Sequence, residues 1–176
     1  MSESNVYYKG FIFKSQLDAL RKLKGEEVLA VLEKKFGPLV FNGFKEYPVE
    51  EEIRLQQEIA EIMFGKIDDE AWFKLGEVVF NAFAYSQIGK TIFSLFGNLQ
   101  GNFSQLPSIL KTISSGITCT VKKTGDRMLT ITLTGEPHNP HHYQGVFNAG
   151  IRYFGFTPSV EIDTNSAEQT FIVSWR

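Results

Sequence analysis

The three histidines of this chain fall within five residues, His138-Asn139-Pro140-His141-His142, at spacings of three and four that could gather imidazoles around a zinc or nickel ion. Glu136 is the nearest acid, and no Cys, Asp or Glu follows closely enough to complete a ligand set. Pro140 suits the first turn of a helix, so the histidines are expected to be exposed around its cap, with no physiological metal. Cys119, the single cysteine, alternates with Ile117 and Val121 on what reads as the inward face of a strand. It is expected to be a structural thiol, because a nucleophile needs exposure and a positive neighbour, and only Lys122 and Lys123 are near. Carboxylates cluster at Glu50 to Glu52 and at Asp68 to Glu70, where they would favour helix starts. The glycines form neither a phosphate loop nor a dinucleotide fingerprint. No catalytic residue and no cofactor is assigned, and the chain reads as non-enzymatic.

The elements that must hold these residues are clearest after residue 116. Ile117, Cys119 and Val121 alternate with Thr118, Thr120 and Lys122; after a turn at Thr124-Gly125-Asp126, Leu129, Ile131 and Leu133 alternate with threonines. Period two predicts a hairpin with one apolar face. Asn139 and Pro140 open a helix that Gly155 closes, with Val146, Phe147, Gly150, Ile151 and Phe154 on its apolar side. A second hairpin follows in Val160 and Ile162, then in Phe171, Val173 and Trp175, around a turn at Asp163 to Ser166. The class is α+β, a helical N-terminal part followed by an antiparallel sheet in hairpin-helix-hairpin order.

Upstream, Val6 to Lys14 reads as a strand in which Gly10 marks a bulge or a close backbone approach. Ser15 or Asp18 could start a short helix. Helices are predicted over Gly25 to Phe36, from Tyr47-Pro48-Val49 to Phe64, from Asp68 or Asp69 through Trp72, Leu75, Val79 and Phe83, and near Ile88 to Phe96 and Leu106 to Ser114. The 176 residues are read as a single domain, 1–176, with a helical part over about 15–115 and a sheet part over about 116–176 joined by the N-terminal strand 6–14.

Charge is unevenly spread. Residues 46–77 carry ten acids against three bases, whereas residues 78–125 carry no acid. Within the second stretch Phe80, Phe83, Ile88, Ile92, Phe93 and Phe96 recur near helical spacing among Asn, Ser and Gln. Three readings stay open for these six: a central core, a subunit interface, or the wall of an apolar ligand cavity. A net charge of -2 offers no footprint for nucleic acid. A polar start at Met1 to Asn5, one cysteine and no apolar run of about 18 residues imply a cytoplasmic protein without a transmembrane segment.

The hairpin, the helix Tyr143-Gln144-Gly145-Val146-Phe147-Asn148-Ala149-Gly150 and the returning hairpin resemble the C-terminal part of the superfamily that joins the haem NO-binding (H-NOX) domains, the TRAPP vesicle-tethering subunits and the 4-vinyl reductase domains. Lys9-Gly10-Phe11-Ile12-Phe13-Lys14, Tyr47-Pro48-Val49, Leu75-Gly76 and the Gly145 to Gly155 helix are similar to an uncharacterised, myxobacterial-type family of similar length. The haem branch implies a histidine in the helical region and a Tyr-x-Ser-x-Arg motif; no histidine precedes His138 and that motif does not occur. What the resemblance implies is therefore a protein-interaction module, a homodimer through helices, or a sensor of a small apolar ligand without haem.

Overall fold

The computed structural model describes residues 5–176, so Met1 to Ser4, most of the polar start, lie outside it. β1 (Tyr7–Lys9) is far shorter than the strand expected over Val6 to Lys14, because at Gly10 the chain turns directly into α1 (Gly10–Lys24). Ile12, Phe13, Gln16, Leu17 and Leu20 bury one face at helical spacing, which overrides the local strand character. Gly10 is the close backbone approach that the sequence suggested. A Cβ there would stand 2.1 Å from the Asn42 carbonyl oxygen.

α2 (Glu27–Phe36) follows, then β2 (Glu46–Pro48) and α3 (Val49–Phe64), which Gly65 ends in a left-handed conformation at φ 70°. Asp68 caps α4 (Asp69–Tyr85) by accepting from the Ala71 amide at 2.8 Å. Ser86 caps α5 (Gln87–Phe96), and Asn98 caps α6 (Leu99–Ser104), a short helix the sequence pattern did not reveal. α7 (Leu106–Ile113) leads into β3 (Ser114–Ser115). β1 does not join the C-terminal sheet as expected; it is the centre of a separate antiparallel sheet of order β2-β1-β3.

The C-terminal part matches the hairpin-helix-hairpin order. β4 (Thr118–Gly125), β5 (Met128–Thr134), β6 (Pro158–Ile162) and β7 (Gln169–Trp175) form an antiparallel sheet of order β4-β5-β7-β6, with Ile131 opposite Phe171 and Leu129 opposite Val173. α8 (Pro140–Tyr153) lies on the apolar face and buries Phe147 and Ile151 against it. The protein is thus α+β.

Two apolar cores result. One gathers Phe13, Leu20, Leu32, Leu55, Ile59 and Trp72 among the helices; the other gathers Ile131, Leu133, Phe147, Ile151, Phe171 and Trp175 between α8 and the sheet. Each such side chain contributes roughly 1.5–3 kcal/mol on burial. α4 and α8 join the halves at a backbone contact that two glycines permit. A Cβ on Gly76 would lie 1.9 Å from the His142 carbonyl oxygen, and one on Gly145 would lie 2.0 Å from that of Phe73. No helix among the described residues is long and apolar enough to cross a membrane.

Candidate functional site

A cavity of about 140 Å³ lies between α8 and the helices. Its walls come from Val79, Phe80 and Phe83 of α4, Phe93 of α5, Leu99 and Phe103 of α6, Leu106 and Leu110 of α7, and Val146, Phe147 and Phe154 of α8. The six residues singled out from the sequence therefore separate. Phe80, Phe83 and Phe93 line the cavity, and Phe93 packs on Phe80, Phe83 and Phe154 with ring centroids 5.7–6.0 Å apart. Ile88 and Ile92 lie outside the lining, Ile88 being 45% exposed, and Phe96 closes α5 with its side chain outside the described residues.

Tyr8, Glu52, Gln56, His138, His142 and Tyr143 also line the cavity, and they form a charged cluster. Glu52 rides on the buried face of α3 with Val49, Leu55, Gln56 and Ile59. Its Oε2 meets His138 Nε2, while its Oε1 accepts from the amides of Gln16 and of Gln56, the latter at 2.5 Å. His138 Nδ1 faces Glu136 Oε1 at 2.5 Å, and the His138 backbone amide donates to the same oxygen at 3.1 Å. Tyr8 and Tyr143 each place a phenol oxygen 2.7 Å from Glu136 Oε2 and 2.7 Å from one another. Gln169 holds the loop carrying Glu136 and His138 by donating to both their carbonyl oxygens, at 2.9 and 2.5 Å.

The histidines were expected to be exposed, and two are not: His138 is 3% and His142 5% exposed. Asn139 caps α8 through the His141 amide, and only His141 is turned outward, towards Asp69 at 3.3 Å. Both ring nitrogens of buried His138 meet carboxylates, one from Glu136 two residues before it on the same loop and one from Glu52 on α3. The signal lay in α3, where Glu52 and Gln56 occupy positions of an otherwise apolar stripe; charged residues on such a stripe need partners.

Electrostatics assign the protons. Burial opposes a charge on His138, but Glu136 and Glu52 outweigh it and raise its pKa to about 10. Burial raises Glu136, yet His138 and the two phenols bring it down to about 2, and Glu52 is lowered in the same way against its own burial. His142 is pushed down to about 4, first by burial and then by the neighbouring imidazolium, whose ring stacks on it at 5.2 Å. The cluster is thus an imidazolium between two carboxylates, beside a neutral imidazole. Tyr8 and Tyr143 are raised well above ordinary phenols, mainly by burial, and stay protonated. Cys119 lies apart on β4, its thiol pushed up to about 12 by burial. Among the described residues no three His, Cys, Asp or Glu side chains converge as a metal-ligand set.

The arrangement of helices and sheet is the H-NOX fold. The chain superposes on an H-NOX protein from S. oneidensis in its Fe(II)NO ligation state with a TM-score of 0.78 and 16% identity, over 96% of this chain and 99% of that one. An oxygen-binding H-NOX domain related to soluble guanylate cyclases gives 0.73 and 17%, over 96% and 95% of the two chains. An Fe(II) unliganded H-NOX variant from K. algicida gives 0.71 and 16%, over 96% of each. The chain belongs to the family described as "Protein of unknown function (DUF2378)", which it matches over residues 4–176. No curated protein matches it.

The haem that this fold implies does not fit the residues present. No histidine lies on α1 to α7, and His138 has both nitrogens engaged by carboxylates. The lining holds the carboxylate of Glu52 and no Lys or Arg to meet a porphyrin's propionates. The cavity is also small beside the roughly 300–1,000 Å³ of sites for larger ligands.

Proposed function

We propose that the protein is a non-enzymatic binding module that takes a small apolar molecule, without haem, into the cavity between α4, α6, α7 and α8. The observation that carries this reading is the cavity itself: a largely aromatic and aliphatic wall ending on a single cluster of buried polar groups. An apolar cavity of roughly 150 Å³ accommodates a molecule of the size of benzene, so 140 Å³ fits one substituted ring or a short branched chain. Nothing in the cluster resembles an activated nucleophile, since the carboxylates are committed to His138 and the thiol of Cys119 is held protonated. Calorimetric titration of the protein with p-xylene tests the reading. Saturable one-to-one uptake, lost when a charge is placed at half-buried Phe93 by Phe93→Glu in a chain that still folds, is the expected result; a wild type that takes up neither p-xylene nor a polar ring of the same size refutes it.

A second reading, self-association, is favoured by a specific face of α5. Ile88 and Leu95, seven residues apart and therefore on one side of the helix, are 45% and 71% exposed. A second copy of the chain is the occupant this stripe would suit, as a two-fold contact is self-complementary. Sedimentation velocity would show a dimer that Leu95→Glu converts to a folded monomer, and a wild-type monomer at micromolar concentration rules it out.

A further inference from the structure

The amide side chains on the cavity's lining are fixed in one sense. Glu52 offers only acceptors, so the amides of Gln16 and Gln56 must turn their nitrogens towards its Oε1, and their own oxygens away. Asn102 is fixed in the same manner, its Nδ2 donating to the Asn98 carbonyl at 2.8 Å. Gln56 Oε1 and Asn102 Oδ1 are left as buried acceptors without partners, on residues that are 1% and 6% exposed and line the cavity. His142 Nδ1 is a third unpartnered buried atom on the lining, and in its neutral ring it accepts when the proton sits on Nε2 and donates in the other tautomer. The donors that could have answered them are spent elsewhere: the phenols of Tyr8 and Tyr143 serve Glu136, and both nitrogens of His138 face carboxylates. The two carboxylates and one imidazolium leave the polar end with a net negative charge.

We propose that the occupant of this cavity is a small apolar molecule carrying a hydrogen-bond donor, a hydroxyl or an ammonium, and that carboxylates are rejected. The proposal rests on the cavity reading above and specifies its ligand class. Buried acceptors lose their hydration on folding and recover the interaction only from a donor, so a site of this kind discriminates against an analogue that lacks one. An anionic head meets like charge in a medium of low polarity.

Four probes of similar size separate the possibilities when titrated calorimetrically into the wild-type chain at pH 7: p-xylene, p-cresol, benzylamine and benzoate. The expected result is binding of p-cresol or benzylamine about fivefold or more tighter than p-xylene, the gain a well-made hydrogen bond gives, with no binding of benzoate. Preference for p-cresol identifies the donor as a hydroxyl, and preference for benzylamine as an ammonium. In Asn102→Leu and, independently, His142→Phe, the affinity ratio of the preferred probe to p-xylene should fall towards one. Equal binding of p-xylene and both donors, or benzoate bound best, overturns the donor proposal while leaving the cavity reading intact. Failure of all four to bind removes the cavity reading, and this proposal with it.

Discussion

His138, on the loop before α8, and His142, within it, stack their rings, yet one is held charged and the other neutral. Each leaves its own mark on stability. Between about pH 6.5 and 10 the folded chain keeps a proton on His138 that the unfolded chain has released, so stability is lost as pH rises through that window. Between about pH 6.5 and 4 the unfolded chain gains a proton at His142 that the folded chain refuses, so stability is lost as pH falls. Glu136 extends the acid loss from about 4.5 down to about 2. Denaturant midpoints should therefore peak near pH 6.5, with His142→Phe flattening the slope between pH 4 and 6.5 and leaving the alkaline slope in place. A midpoint constant from pH 7 to 10 would mean that His138 is not an imidazolium. Little of this was legible in the chain: Pro140 pointed to a helix cap, where side chains are commonly wet. Of the partners of His138, Glu136 is its neighbour in sequence, but Glu52 lies 86 residues away and only the fold brings it there.

Among the elements, the crossing of α4 and α8 decides where the cavity can be. Gly76 and Gly145 each face a carbonyl oxygen of the opposite helix, and backbone cannot swing aside as a side chain can. Gly76→Ala or Gly145→Ala should each cost about 2 kcal/mol or more in unfolding free energy, by forcing the helices apart. Gly150→Ala is the control, because its new methyl would meet only the edge of the Phe80 ring at 3.2 Å, which can yield. Equal, small losses in all three would show that the helices do not cross so closely. Both helices were readable from their caps and periodicity, and so were the two hairpins, since their signals are local. The start of α1 at Gly10 and the pairing of β1 with β2 and β3 were not, because a short apolar run is ambiguous between strand and helix until its neighbours are known. α6, with six residues, is too short to show a period.

At the scale of the whole molecule, the six aromatic and aliphatic candidates illustrate how far a one-dimensional pattern reaches. Their spacing left core, interface and cavity wall open; Phe80, Phe83 and Phe93 line the cavity while Ile88 is exposed, a division that a one-dimensional period does not carry. The two cores meet across the same region, with Tyr8 and Tyr143, one from each, bonded through Glu136. By chance of placement each core also holds one of the chain's two tryptophans, Trp72 among the helices and Trp175 at the sheet. Separating the halves would part Glu52 from His138 and Tyr8 from Glu136, which is costly for buried charges, so neither half has a comfortable way to loosen alone. The molecule accordingly carries its own pair of thermometers: in Trp72→Phe the remaining indole reports the sheet, in Trp175→Phe it reports the helices. Within each variant, the fluorescence melt should coincide with the loss of far-ultraviolet dichroism, one transition seen from either side of the seam, whereas an indole signal that runs ahead of the dichroism would reveal halves that come apart.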